Sequence, residues 1–229
     1  MEQQQPAASQ APPPAKPTSK PKSKPKEKSI KRQSSKGQVN DDYQKAFADK
    51  VVIVTGSSSG IGRDVALAFA RLKAKVVIIS PDPKGVAAAA AECAAAAGGE
   101  KPLEVVADIS KTDDCKRLVA ETLQKYGKID ILINNAGMTV MTSYEDPKFI
   151  EAFDKVISVD LRGAALLTNL CAGELIKTKG NIINVSSVAG QIPERGVYPY
   201  SMAKGGLNML TKSSAFELGR KGVRVNAIA

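Results

Sequence analysis

Val51-Val-Ile-Val-Thr55-Gly56-Ser-Ser-Ser-Gly60-Ile-Gly62 runs from a block of β-branched residues straight into three glycines. Five β-branched residues in a row have no polar face, so this strand is expected to be buried on both sides. The apolar spacing of residues 61–72 is helical, so the three glycines fall in a strand-to-helix turn. A helix start presents free N–H groups and the positive end of the helix dipole, which suits a pyrophosphate. Gly56 is expected to turn the chain. Gly60 lets the backbone approach the phosphates, and Gly62 lets the helix sit close to the strand. The spacing Gly-x-x-x-Gly-x-Gly differs from the commoner Gly-x-Gly-x-x-Gly, and glycines in such a turn can be turn residues and nothing more.

The same alternation continues to the C-terminus. Short β-branched runs stand at 51–55, 76–80, 103–107, 129–134, 181–186 and 223–228, and helical spacing fills 61–72, 112–126 and 200–220. Residues 87–97 are nearly all Ala, the best helix former. Continuous apolar strands alternating with helices predict an α/β fold: a parallel sheet of about six strands with helices on both faces, doubly wound.

A second stretch carries the chemistry. Ser187 follows the fifth run, and Tyr200 and Lys204 stand four apart, which stacks them on one face of a helix. A free Tyr titrates near pH ~10, and a neighbouring cation favours its ionised form, so such a pair can move a proton. Tyr144 and Lys148 repeat the spacing, but Pro147 between them breaks a helix, so that match is read as chance. The chain has no His. That excludes Ser-His-Asp and Cys-His mechanisms and His-containing metal sites, and no Cys-x-x-Cys replaces them.

These motifs, in this order, resemble those of classical short-chain dehydrogenase/reductases from about Lys50 onward: Thr55 to Gly62, Asp108, Asn134-Asn-Ala-Gly137, Ser187, Tyr200-x-x-x-Lys204 and Asn226. The resemblance implies a Rossmann-type sheet in the order 3-2-1-4-5-6. It implies an oxidoreductase that moves hydride between NAD(P)H and a carbonyl or secondary alcohol, with Tyr200 as acid/base. Ser187, thirteen residues before Tyr200, would hold the substrate oxygen. Lys204 would bind the nicotinamide ribose and support Tyr200. Gly56, Ser58, Ser59, Gly60, Ile61, Gly62, Ser80, Asp108, Ile109, Asn135, Ala136 and Gly137 would line the cofactor together with Tyr200 and Lys204. Pairing through the long helices near 149–176 and 205–218 is a further implication.

Two departures accompany the resemblance. The family places an Asn in a water relay with the Lys; the matching position here is Asp160. A carboxylate beside Lys204 would offset its effect on the phenol, giving weakened turnover or an alkaline-shifted optimum. The chain also stops at Val223-Arg-Val-Asn-Ala-Ile-Ala229, before the family's substrate-covering segment and seventh strand. That implies a sixth strand left as an edge and a pocket without its lid, in a fragment or a truncated product. Both departures keep an alternative open, a cofactor-binding scaffold with an impaired site. Cofactor choice is read at Ile79-Ser80-Pro81-Asp82. The Ser80 hydroxyl, with Arg63 and Lys84 nearby, suits the 2′-phosphate of NADP, while Asp82 argues for NAD.

The net charge of +10 is uneven: residues 16–36 hold eight Lys and one Arg against Glu27. Residues 1–45 are rich in Lys, Pro, Ser and Gln and are expected to be a disordered tail, with the domain over 46–229. The tail reads as a solvated leader, as a contact for acidic lipid or nucleic acid, or through Lys28–Arg32 as a nuclear address. No apolar run approaches the ~18 residues of a membrane helix. Cys93, Cys115 and Cys171 are odd in number and far apart, which fits buried thiols in a reducing, cytoplasmic compartment.

Overall fold

The computed structural model describes residues 41–229; the expected tail lies outside them up to residue 40. A short helix, α1 (Asp41–Phe47), comes first, so the boundary drawn at 45 falls inside it. Its last residue explains its place, because the Phe47 ring meets Phe69 edge-on at 5.4 Å.

Strands and helices then alternate: β1 (Val51–Thr55), α2 (Gly60–Arg71), β2 (Lys75–Ser80), α3 (Pro83–Ala96), β3 (Leu103–Val106), α4 (Thr112–Tyr126) and β4 (Ile131–Asn134). One long helix follows in three parts: α5 (Phe149–Ile157), a π-helical segment (Ser158–Gly163) and α6 (Ala164–Thr178). The chain ends with β5 (Asn181–Val185), a 3₁₀ turn (Val188–Gly190), α7 (Tyr198–Gly219) and β6 (Arg224–Ile228). All strands are parallel, in the order β3-β2-β1-β4-β5-β6. This is the doubly wound topology expected.

The β1 side chains alternate between two cores, as a pleated strand requires. Ile53 joins Leu118, Leu132, Leu167 and Ile182 under α4 and α6. Val52 and Val54 join Ala66, Ile78, Val86 and Ala89 under α2 and α3. The Ala-rich α3 buries Ala89 and Ala90, whose small side chains let the helix lie close to the sheet. Two-sided burial fails at the far edge. Ile182 and Val225 are buried, but Asn226 and Ile228 are exposed, because no described helix covers the α2 side of β6. Over 149–178 the long helix is long and apolar enough to cross a membrane. Leu167, Cys171 and Leu175 on it are fully buried against the sheet, as in any core helix.

Parallel strands place all their C-terminal ends on one side, and the site forms there. At the opposite end Asp130 fastens three strands. Its carboxylate accepts from Val51 N at 2.9 Å and pairs with Lys50 and Lys128, and its carbonyl accepts from Asn181 N.

Candidate active site

Gly56 ends β1 at φ +65°, the left-handed region that favours glycine. A Cβ on Gly62 would stand 2.4 Å from both the Gly56 carbonyl oxygen and Asn135 Nδ2, so α2 starts hard against the turn. Ser59 precedes α2 but makes no side-chain cap, and the first N–H groups of the helix stay open. The neighbouring α3 differs: there Asp82 accepts from Lys84 N at 3.1 Å. Ser57 is spent on structure, since its Oγ accepts from Ile79 N at 2.8 Å.

Thr55 joins this turn to the next loop. Its hydroxyl oxygen accepts from Asn135 N and Ala136 N, both at 2.9 Å, and Asn135 Nδ2 donates to the Thr55 carbonyl. Behind the loop an amide chain crosses the sheet. Asn134 Nδ2 donates to Asn184 Oδ1 at 2.8 Å, and Asn184 Nδ2 donates to Thr211 Oγ1 on α7. Asn226, the last residue of the resemblance, is exposed, and its side chain takes no part in this chain.

Between these elements lies a cleft of about 570 Å³. Of the residues expected at the cofactor, Gly56, Ser58, Ser59, Ile61, Gly62, Ser80, Asp108, Ile109, Asn135, Ala136 and Gly137 line it. Gly60 stands outside the wall. Asp108 turns Oδ1 to Ser110, accepting from its N–H and its hydroxyl, and leaves Oδ2 without a bond among the described residues. Lys155, Ser158 and Val159 also line the cleft and were not read from sequence. At i, i+3 and i+4 they share one helical face, but nothing in that spacing tells that the face meets the cleft. Arg63 does not line the cleft: its guanidinium grips the Glu92 carboxylate with both Nε and Nη2.

Tyr200 and Lys204, also expected at the cofactor, do not line the cleft; the Lys204 ammonium lies behind its Gly137 wall, and the 3₁₀ turn that Ser187 caps packs on α7. Ser187 is half-buried, and its Oγ accepts from Ala189 N at 3.2 Å, which leaves its proton free to donate. Ser186 is buried and donates to Asn208 Oδ1 at 2.6 Å, so of the two serines only Ser187 faces outward. The Tyr198 ring stacks on Tyr144 at 4.7 Å, whereas Tyr200, half-buried, has the Lys204 ammonium 5.3 Å from its ring centre. Tyr144 lies in a turn ahead of α5, not one helical turn from Lys148 on a helix.

Lys204 is 3% exposed. Its Nζ donates to the Val185 carbonyl at 3.0 Å and lies 3.2 Å from Asp160 Oδ2. That second contact is an ion pair without good hydrogen-bond alignment, since Oδ2 accepts no well-directed bond. Asp160 Oδ1 accepts from Met138 N at 2.8 Å. Burial pushes the Asp160 carboxyl above its ordinary range, while Lys204 and the Met138 N–H pull the other way. The carboxylate reaches Lys204 from the π-helical segment, a wider helical turn of the kind that recurs at functional sites. Gly137 completes the contact, because a Cβ there would fall 2.7 Å from Asp160 Oδ2 and 3.3 Å from Lys204 Nζ. All three thiols are buried, and burial holds them up at about 11 for Cys93 and Cys115 and about 12 for Cys171, which makes them unreactive.

Residues 50–229 match the family model described as short chain dehydrogenase. The chain is 40% identical over 185 residues to the 3-oxoacyl-[acyl-carrier-protein] reductase of Synechocystis, covering 80% of this chain and 74% of that protein. Levodione reductase superposes with a TM-score of 0.76 at 34% identity, over 80% of this chain and 71% of that one. NAD⁺-bound xylitol dehydrogenase superposes at 0.75 with 27% identity, over 80% and 70%. Against the curated relatives the chain spans 66% of bovine L-fucose dehydrogenase and 74% of the Synechocystis reductase. On sequence and fold together, the chain belongs to the short-chain dehydrogenase family.

Proposed function

We propose that the protein is an NAD(P)-dependent oxidoreductase that interconverts a carbonyl and a secondary alcohol. One observation carries the reading: a buried ammonium, Lys204, held 5.3 Å from the Tyr200 ring and packed behind Gly137, which lines a glycine-turned cleft. The residues fit a dinucleotide. The uncapped start of α2 offers N–H groups to a pyrophosphate, Asp108 keeps one oxygen for an adenine amine, and the Gly137 end adjoins Lys204. When bound, the nicotinamide supplies or accepts the hydride. The protein supplies the rest. Ser187 donates its free proton to the substrate oxygen and fixes its position. Tyr200 gives a proton to that oxygen in reduction and takes it in oxidation. Lys204, hydrogen-bonded to Val185 and ion-paired with Asp160, steadies the charge on the phenol and keeps N–H groups for a ribose hydroxyl.

For the cofactor we favour NADP. Ser80 lines the cleft at the end of β2, and the Asp82 carboxylate is bound to the start of α3. With Arg63 held by Glu92, this preference rests on Ser80 and backbone amides rather than on guanidinium charge. The test is oxidation of NADPH and NADH with a panel of ketones. NADPH is expected to be used at the lower KM. Tyr200→Phe should reduce kcat at least a hundredfold while leaving cofactor affinity intact; equal rates in the two proteins would sink the reading. Pairing of two copies through the long helices is part of the proposal, since Met209 and Phe216 stand exposed on the outer face of α7.

A further inference from the structure

We propose that the substrate is an uncharged carbonyl compound with an aryl or branched alkyl body, held on an apolar wall beside Ser187 and Tyr200. The inference rests on the oxidoreductase reading for the position of the reacting oxygen. The wall is built by the loops after β4 and β5. Twelve large hydrophobic side chains are exposed among the described residues, and four of them, Met141, Tyr144, Val188 and Ile192, fall on these two loops. They are 72%, 69%, 59% and 63% exposed, so the apolar surface is open to a ligand.

The loops form one unit. Thr142 N donates to the Gly196 carbonyl at 2.8 Å. The Met141 side chain packs on Gly196 so closely that a Cβ there would meet its Cε at 2.7 Å. Tyr144 stacks on Tyr198 at 4.7 Å and lies tilted against Phe149 at 4.9 Å. Tyr198 opens the helix that carries Tyr200, and Val188 follows Ser187 directly. A molecule whose oxygen meets Ser187 and Tyr200 therefore lays its body across these side chains. The charges nearby do not form an anion site. Asp146 is turned back to accept from Lys148 N at 2.8 Å and from Thr142 Oγ1 at 3.3 Å. Glu194 and Arg195 are exposed, adjacent and opposite in sign. A polyol needs several fixed polar partners to offset its desolvation, and a wall of thioether, phenol faces and branched alkyl groups offers few.

The test measures binding of 1-tetralone with NADH or NADPH present and of D-glucose with NAD⁺ or NADP⁺ present, by ligand-observed NMR titration, and follows turnover of each by cofactor absorbance. 1-Tetralone is expected to bind in preference to D-glucose. Tyr144→Ser with Ile192→Ser should weaken its binding about tenfold, the loss of two apolar contacts, with cofactor affinity unchanged. Preference for D-glucose, failure of 1-tetralone to bind, or equal 1-tetralone affinity in the double variant overturns the proposal. So does a double variant that loses self-association in light scattering while still binding the ketone, which would make the wall an interface between copies. Turnover of D-glucose untouched by the double variant overturns this proposal and leaves the oxidoreductase reading standing, whereas no turnover of any ketone or alcohol sinks the oxidoreductase reading and this proposal with it.

Discussion

At the scale of residues the protein turns on the pair Lys204 and Asp160. Two charges buried 3.2 Å apart cost desolvation that their attraction only partly offsets. The pair's influence on the phenol is a matter of sign. On the proposed mechanism Asp160 would oppose the field of Lys204 at Tyr200, and removing its charge would strengthen that field. Asp160→Asn keeps an amide oxygen for the Met138 N–H and is expected to move the pH–rate profile toward acid by on the order of one pH unit. An unchanged profile and rate would show that the carboxylate does not act on the proton transfer. Ser187 came from the resemblance, which sets the serine thirteen residues before Tyr200; in the fold Ser186 is spent on Asn208 and Ser187 is half-buried. Lys155, Ser158 and Val159 were not legible, because their meeting with the β1 turn depends on the rotation of a helix that a long loop separates from β4. The Thr55 hydroxyl was hidden too. A Thr in a β-branched run reads as one more strand residue, and only the fold brings Asn135 and Ala136 onto its oxygen.

At the scale of elements the β1–α2 junction carries the tightest constraint. Gly62 lies inside a helix, where glycine is a poor choice, and its reason is the 2.4 Å approach to Gly56 and Asn135. Gly62→Ala is expected to destabilise the fold by about 1–3 kcal/mol through overpacking and to weaken cofactor binding as α2 is pushed from the turn. Urea denaturation and cofactor titration would measure both; wild-type values in each would show that the helix can shift freely. The strand β1 was legible to the residue, because burial on both faces leaves a continuous β-branched run. The π-helical segment was not. A turn that closes on the fifth residue instead of the fourth has no mark in composition; it shows only once Asp160 is found facing Lys204. Helix α1 was missed for a related reason: one ring contact at 5.4 Å holds it, and its sequence is as polar as the tail before it.

At the scale of the whole molecule the two ends of the sheet have opposite characters. Self-association through α7 would place Phe216, 71% exposed and covered on one side by Arg220 at 4.8 Å, at the contact. Phe216→Glu is expected to lower the mass in light scattering to that of one chain; an unaltered mass would exclude this face. At the base, burial tends to raise the Asp130 carboxyl, but the Val51 N–H and the Lys50 and Lys128 ammoniums together hold it below its ordinary value. A carboxyl lowered in the folded state stabilises fully above its unfolded value near ~3.9 and loses that contribution as pH falls through its folded value. Asp130→Asn is therefore expected to cost about 1–3 kcal/mol at pH 7, with the gap to wild type closing in acid urea titrations. A gap that stays constant down to pH 2 would assign the cost to lost packing instead.

The clamp at Asp130 has a bearing on how the chain can be rebuilt. It pins three neighbouring strands at one pole, as a rivet holds the blades of a fan, and leaves the opposite rim to carry the cleft. Grafted or lengthened segments at that rim keep the rivet, whereas even a single residue inserted between Lys128 and Ile131 would loosen every blade at once.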